Sequence, residues 1–216
     1  MKIVCIGGGP GGLYFAISMK LRNPAYEITV VEQNKPHDTF GWGIVFSDQT
    51  LENLQLNDPE SAETIRKSFA YWDDIDVHIH GKVIRSGGHG FIGIGRLRLI
   101  TILQERATEL GIKQVFETQV ENSDNYENYD LVVASDGINS KIRTQHAAHF
   151  QPDIDLRRNK FIWLGTHKLF EAFTFIFIKT EHGWIWAHAY RFADDLSTFI
   201  VECEPETWNA LGFEDM

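Results

Sequence analysis

The rhythm of apolar and polar positions changes near residue 159, and the two rhythms predict two architectures. Lys2 to Ile6 is a short apolar run that meets glycines, Leu13 to Leu21 carries helix formers with few polar interruptions, and Glu27 to Val31 is strand-like. Together they predict a βαβ opening. Ser47 to Leu56 and Leu97 to Leu110 have helical character, the second stopping at Gly111. Lys113 to Val120 reads as a strand. After the acidic loop ENSDNYENYD, Leu131 to Ser135 reads as a fully buried parallel strand ending in Asp136-Gly137, with a short helix from Ser140. From about Asn159, runs such as KFIWLGT, AFTFIFIKT, GWIWAHAYRF and LSTFIVECE are aromatic and β-branched, the mark of an antiparallel sheet. Asp76 to Arg85, turning at Gly81, adds a hairpin to that sheet. The expected class is α/β, with the two regions interleaved and no linker between them.

Composition narrows the function. With 216 residues, 43% of them hydrophobic, the chain can bury a real core. Its net charge of −10 repels polyanions, so no nucleic-acid partner is expected. No apolar stretch reaches the roughly 18 residues of a membrane span, and even LFEAFTFIFIK is broken by Glu171. The opening MKIVCIGGGPGG reads as a buried strand, not a secretory signal. Only Cys5 and Cys203 are present; they suggest a reduced, cytoplasmic compartment and packing roles.

Gly7, Gly9 and Gly12 form G-x-G-x-x-G between the first strand and the first helix, with Pro10 and Gly11 completing the turn. In that context the first glycine permits a tight turn, the second lets a pyrophosphate approach the backbone, and the third lets helix and strand pack closely. Unpaired N–H groups and the helix dipole attract the anion. Glu32 closes the second strand 20 positions after Gly12 (32 − 12), where a carboxylate accepts hydrogen bonds from an adenosine ribose and repels a 2′-phosphate. The dinucleotide held there is expected to be FAD or NAD, not NADP. The plainer alternative is a glycine-rich βα turn with an ordinary surface glutamate.

The segment VVASDGINSKIR resembles the aromatic flavoprotein monooxygenase superfamily, the group with the para-hydroxybenzoate hydroxylase fold, and the resemblance runs along essentially the whole chain. It implies a Rossmann-like FAD-binding domain over 1–70 and 91–155, interleaved with a substrate-binding antiparallel sheet over 71–90 and 156–216. By the same resemblance Asp136 and Gly137 are cofactor-site residues, with Ser140 and Arg143 in their family places. Arg96, with Leu99 completing an R-x-x-L pattern, is the arginine expected to contact FAD; Arg98 is its possible confusion. The loop Gly41 to Asp48 resembles the segment beside the isoalloxazine ring, which makes Gly43 a candidate. The plainer readings are a turn whose Asp136 caps the next helix, and a βα loop with Trp42 in the core. Within the superfamily, the segments GWGIVFSD, GIGRLRLITILQERA, FIWLGT, WAHAY and STFIVE together most resemble the aryl-coenzyme A hydroxylases, the 2-aminobenzoyl-CoA monooxygenase/reductases and salicylyl-CoA 5-hydroxylases. The family's later Gly-Asp motif is absent from these residues, so the resemblance implies a fold incomplete at the C-terminus and inactive by itself.

What the resemblance implies chemically is hydroxylation of an aromatic ring, free or as an aryl-CoA thioester, with FAD as cofactor, NADH or NADPH as electron donor and O2 as oxidant. No metal is expected. Candidate wall residues are Trp163, Trp184, Trp186, His188 and Tyr190; the last four share one face if the strand keeps period two. For most of them the expected role is sheet core, because large aromatics bury themselves in packing. His188 is the candidate for positioning a substrate hydroxyl or amine. His78 and His80 share a strand face without a third ligand nearby in sequence. Arg157, Arg158 and Lys160 form a basic cluster that either meets coenzyme A phosphates or is simply solvated. Two other functions compete. The Trp184-Ile185-Trp186 triplet resembles the W-x-W of flavin-dependent halogenases but lacks its Ile-Pro continuation, and a dinucleotide-binding module without turnover is also open.

Overall fold

The computed structural model describes residues 1–215. In chain order its elements begin β1 (Lys2–Ile6), α1 (Pro10–Arg22), β2 (Glu27–Val31), β3 (Gly43–Ser47), α2 (Asp48–Asn57), α3 (Pro59–Arg66) and β4 (Ala70–Trp72). Next come β5 (Ile75–Ile79), β6 (Lys82–Ser86), β7 (Phe91–Gly95), α4 (Arg96–Glu109), β8 (Lys113–Val115) and β9 (Leu131–Ala134). The remainder is α5 (Lys141–Gln145), α6 (Ala147–Phe150), β10 (Lys160–Thr166), β11 (Phe173–Thr180), β12 (Gly183–Arg191), β13 (Ser197–Cys203) and α7 (Pro205–Ala210). The chain divides into two compact units. One takes Met1–Thr39, Leu54–Ile65 and Leu97–Ile154; the other takes Phe40–Asn53, Arg66–Arg96 and the chain from Asp155 on.

The first unit is built on a parallel sheet of order β8-β2-β1-β9. Its central strand β1 is apolar at successive positions because both faces are covered; Ile3, Val4 and Cys5 are fully buried. Burial pushes the Cys5 thiol up to about 12, which makes it a packing residue and not a nucleophile. Helix α1 buries Leu13, Ala16 and Ile17, three and four positions apart, while α4 buries Leu99, Ile100, Ile102, Leu103 and Ala107. A cluster of Val4, Ile6, Val31 and Ile142 gathers Val115, Tyr126, Tyr129 and Val132 around it. The buried Asp58 carboxylate is matched by the Arg106 guanidinium through two 3.1 Å hydrogen bonds and by the Ser61 hydroxyl at 2.5 Å, so its burial leaves no bare charge.

Two strand expectations here need correction. The strand read over Lys113 to Val120 ends at Val115, because Glu117 enters the left-handed region (φ 53°) and the chain swings to the segment after β2. There the N–H groups of Glu117 and Thr118 donate to the carbonyls of Asn34 and Glu32. The run from Leu131, read as fully buried, is an edge strand: Leu131 and Ala134 are exposed and Val132 and Val133 are half-buried. An apolar run records what a strand can bury, whereas edge position is set by what pairs with it.

The second unit holds a six-stranded sheet, β10-β13-β12-β11-β5-β6. All its pairings are antiparallel except β5 with β11, which run parallel. The β5–β6 hairpin turns at His80 and Gly81, both left-handed (φ 49° and 71°), as a two-residue hairpin loop requires. A further three-stranded sheet, β3-β7-β4, has no counterpart in the sequence reading, which took 41–48 as a loop. It is joined to the larger sheet by aromatics: Trp72 stacks on Tyr190 with centroids 6.0 Å apart and Phe91 meets Phe173 edge-on at 5.5 Å.

Candidate functional site

The first cluster of sequence-predicted residues sits where β1, β2 and β9 end together. Gly7 turns with φ 105°, and a Cβ there would strike the carbonyl of Ser135. At Gly12 a Cβ would meet Gly7 O and lie 2.5 Å from Ser135 Oγ, so helix α1 approaches the turn as closely as a glycine allows. By contrast, a Cβ at Gly9 or Gly11 would meet nothing within 4 Å. These two positions face open space. Helix α1 begins after Gly9 with Pro10 in its first turn and no side chain capping it, so the positive end of the helix dipole is left for an external anion.

Glu32 is half-buried and braces the turn. Its Oε2 accepts the Gly8 N–H at 2.7 Å; its Oε1 accepts both the backbone N–H and the side-chain Nδ2 of Asn34 at 2.8 Å. Since a carboxylate has about four acceptor sites, three are taken and one on Oε2 remains. The ordinary-surface reading of Glu32 does not match this geometry. The remaining acceptor lies beside an uncapped helix start and two open glycine positions.

Two members of this cluster, Ser135 and Asn34, carried no signal in the sequence. The Ser135 hydroxyl donates to the carbonyls of Ile6 and Gly7, each at 2.9 Å, stapling the end of β9 to the turn. Next to it, the Asp136 carboxylate accepts Ser140 Oγ at 2.5 Å and the N–H groups of Lys141 and Ile142 at 2.8 and 3.3 Å. It therefore braces the start of α5, where Ser140 Oγ also accepts the Arg143 N–H at 2.9 Å. Arg143 in turn donates to Ile138 O at 2.6 Å, which closes the loop around the left-handed, exposed Gly137. The open side of β9 borders a cavity of about 670 Å³ lined by Phe15, Leu131, Val133 and Phe150, with Asp136 and Arg143 at its polar end.

Gly43 and Arg96 come together separately, in the second unit. Pairing of β3 with β7 sets Gly43 opposite Gly95, and the Arg96 N–H donates to Trp42 O at 2.8 Å. Arg96 is half-buried and opens α4, whereas Arg98 is exposed. Gly43 is buried, not on a free loop. Of the wall residues, Trp186 and His188 lie on one face of the large sheet opposite Phe177 and Phe175 on β11 and Glu202 and Ile200 on β13; Trp163 on β10 faces Ile200 in the same row. His188 is half-buried near the Phe173 and Phe175 rings (6.2 and 6.1 Å). Burial pushes its pKa below the ordinary imidazole value, against the charge of Glu202. Tyr190 is 5% exposed and packs inside the unit, while Trp184 stands at the strand start beside His80.

The basic cluster is neutralised in place: Arg157 pairs with Asp155, Arg158 with Glu206 and Lys160 with Glu214. Among the described residues no group of three His, Cys, Asp or Glu side chains has metal-binding geometry, and no helix is long and apolar enough to cross a membrane.

No family model matches the chain. Known proteins do. A salicyloyl-CoA 5-hydroxylase from Streptomyces is 44% identical over 214 residues, which is 99% of this chain and 41% of that protein. The protodeoxyviolaceinate monooxygenase of Chromobacterium violaceum is 34% identical over 96% of this chain and 56% of its own length. The 3-hydroxy-4-methyl-anthranilyl-(aryl-carrier protein) 5-monooxygenase of Streptosporangium sibiricum is 32% identical over 94% of this chain and 57% of its own. The chain thus spans between about two fifths and three fifths of the relatives it matches. Among solved structures, 2-methyl-3-hydroxypyridine-5-carboxylic acid oxygenase superposes with a TM-score of 0.80 at 17% identity, covering 94% of this chain and 59% of that one. This last likeness is one of fold.

Proposed function

We propose, on the premise that this chain belongs to the FAD-dependent monooxygenases of the para-hydroxybenzoate hydroxylase fold, that it holds the ADP half of FAD and serves in hydroxylating an aromatic substrate presented as an aryl-CoA thioester. The observation that carries the reading is the Gly7–Gly12 turn: an uncapped helix start, two open glycine positions and a braced glutamate with one acceptor left. When bound, FAD supplies the redox chemistry, taking electrons from NADH or NADPH and activating O2 for transfer of one oxygen atom to the ring.

The protein's own tasks are binding, orientation and exclusion of water. Backbone N–H groups at the start of α1 hold the pyrophosphate, and the free acceptor of Glu32 takes a ribose hydroxyl. The same carboxylate repels a 2′-phosphate, so NADPH, if it is the donor, does not occupy this turn. Asp136 and Gly137 form the cofactor-facing end of β9 in the first unit; in the second unit Arg96 and Gly43 are kept as cofactor-binding candidates by the family resemblance. On the large sheet, Trp163, Trp186 and His188 orient the aromatic ring. His188, kept neutral by burial, accepts a hydrogen bond from a ring hydroxyl or amine. The two free, buried cysteines favour a reducing, cytoplasmic setting for this work.

The relatives favour hydroxylation, and neither a halogenase nor a module without turnover finds support among them. The test is turnover by the full-length gene product with FAD, either reduced nicotinamide, isotopically heavy O2 and salicyloyl-CoA or 2-aminobenzoyl-CoA. One heavy oxygen atom on the ring of the recovered thioester is the expected product; recovery of unlabelled thioester while the nicotinamide is consumed contradicts the assignment.

A further inference from the structure

One face of the large sheet carries a carboxylate in the middle of an aromatic row. Strand pairing sets Phe161, Glu202, Trp186, Phe177, Ile79 and Lys82 side by side, from β10 across to β6. Glu202 is half-buried next to a Phe161 that is 63% exposed, so this end of the row reaches solvent. An ionised group among rings is costly unless something pairs with it. Asn159 Nδ2 donates to its Oε1 at 2.9 Å, and among the described residues Oε2 has no donor. The cations flanking Asn159 are engaged elsewhere, Arg158 by Glu206 and Lys160 by Glu214. Lys82 stands four strands away, about 19 Å at ordinary strand spacing. Further along the same two strands the hydroxyls are spent: Thr198 Oγ1 accepts the Gly43 N–H at 3.0 Å, and the Tyr190 hydroxyl donates to Gly43 O at 2.7 Å. His188 is one row from Glu202. Burial lowers its pKa and the charge of Glu202 raises it, so the two groups lie within electrostatic reach. The face is left with a carboxylate oxygen and a neutral imidazole to meet a ligand.

Holding the sheet together does not call for this carboxylate. A leucine at 202 would pack between Phe161 and Trp186 without the cost of desolvating a charge. A charged acceptor in an aromatic face, with no cation beside it, selects by charge. It favours a ring that brings an N–H or O–H donor, and it repels one that brings an ionised carboxyl. We propose that Glu202 is a specificity-determining residue of the ring-binding face: it accepts a hydrogen bond from an amino or hydroxyl substituent of the substrate and excludes aromatic acids whose carboxyl is free and not held in a thioester. This rests on the reading above that the same face orients the aromatic ring.

The test is calorimetric titration of the full-length, FAD-loaded protein, without reduced nicotinamide, with benzoyl-CoA, 2-aminobenzoyl-CoA, salicyloyl-CoA and free 2-aminobenzoate. Wild type should bind the two substituted thioesters about tenfold more tightly than benzoyl-CoA, the scale of one hydrogen bond to a charged group. In Glu202→Gln that gap should shrink to about threefold or less, with benzoyl-CoA affinity kept within about twofold. Free 2-aminobenzoate should bind the variant more tightly than it binds wild type. Equal loss for all three thioesters would make Glu202 a matter of general stability and overturn the inference, as would an undiminished gap or no gain for the free acid. Wild type that binds the three thioesters equally would overturn it while keeping the ring-binding face; wild type that binds none of them would remove that underlying reading and the inference with it. Should Glu202→Gln fail to fold, Glu202→Leu decides by the same ratios.

Discussion

The Ser135 hydroxyl donates to Gly7 O at 2.9 Å, and it lies 2.5 Å from where a side chain at position 12 would begin. One small side chain at the end of β9 thus fixes both the turn that follows β1 and the closeness of α1. Ser135→Ala should cost about 1–2 kcal/mol of stability through the lost hydrogen bond and weaken ADP binding. Gly12→Ala should cost more on both counts, about 2–4 kcal/mol, because its Cβ meets the backbone of Gly7 and that clash is relieved only by moving the helix. Urea denaturation beside ADP titration measures both; a Gly12→Ala protein with wild-type ADP affinity would contradict the account.

Glu32 supports the turn with both oxygens at once. In Glu32→Gln one terminus becomes an NH2 group, which must face either the Gly8 N–H or the donors of Asn34. The expected result is a roughly tenfold loss of ADP affinity with a smaller loss of stability, read by calorimetric titration and thermal melting.

The hydrogen bonds of Asp136 are to the start of α5, so Asp136→Ala should lower stability by about 1–2 kcal/mol even without ligand. Amide hydrogen exchange should rise at Lys141 and Ile142, the two N–H groups it accepts. Exchange at Leu13 in α1 should not change.

How much of this was legible in sequence depends on range. The turn from Gly7 to Gly12 and the acid at Glu32 were readable because their chemistry lies in a contiguous stretch with a strand on either side. The face shared by Trp186 and His188 followed from period two alone. The sheet β3-β7-β4 was not readable: Gly43, Gly93 and Gly95 depress strand propensity, and the pairing joins segments about fifty residues apart. Ser135 and Thr198 were invisible for a different reason, since a hydroxyl at a strand position gives no sign of the distant carbonyl or N–H it will meet. The exposure of Leu131 was misread because edge position belongs to the sheet, not to the strand.

Asp76 supplies a pH prediction. Its carboxylate accepts Arg85 Nε at 2.7 Å and Nη2 at 2.6 Å, and these hydrogen bonds hold its pKa below the ordinary 3.8, against the opposing effect of burial and with further help from the charges of Arg85 and His78. The folded carboxylate therefore takes up its proton at lower pH than the unfolded one. Its contribution is complete above about pH 4 and is lost as the pH falls through the folded value. In Asp76→Asn the fall of stability with acid below pH 4 should be shallower than in wild type, measured by urea midpoints across pH 2 to 5. Parallel curves would show that this pair does not set the acid limb.

The most direct test of the central claim, that the chain holds FAD by its ADP half, is parallel equilibrium titration of the protein with FAD, ADP and FMN. FAD and ADP should both saturate, FMN should bind far more weakly because it lacks the adenosine, and Gly12→Ala should abolish binding of the first two. Binding of FMN as tight as that of FAD, or no binding of either adenosine-containing ligand, would contradict the account.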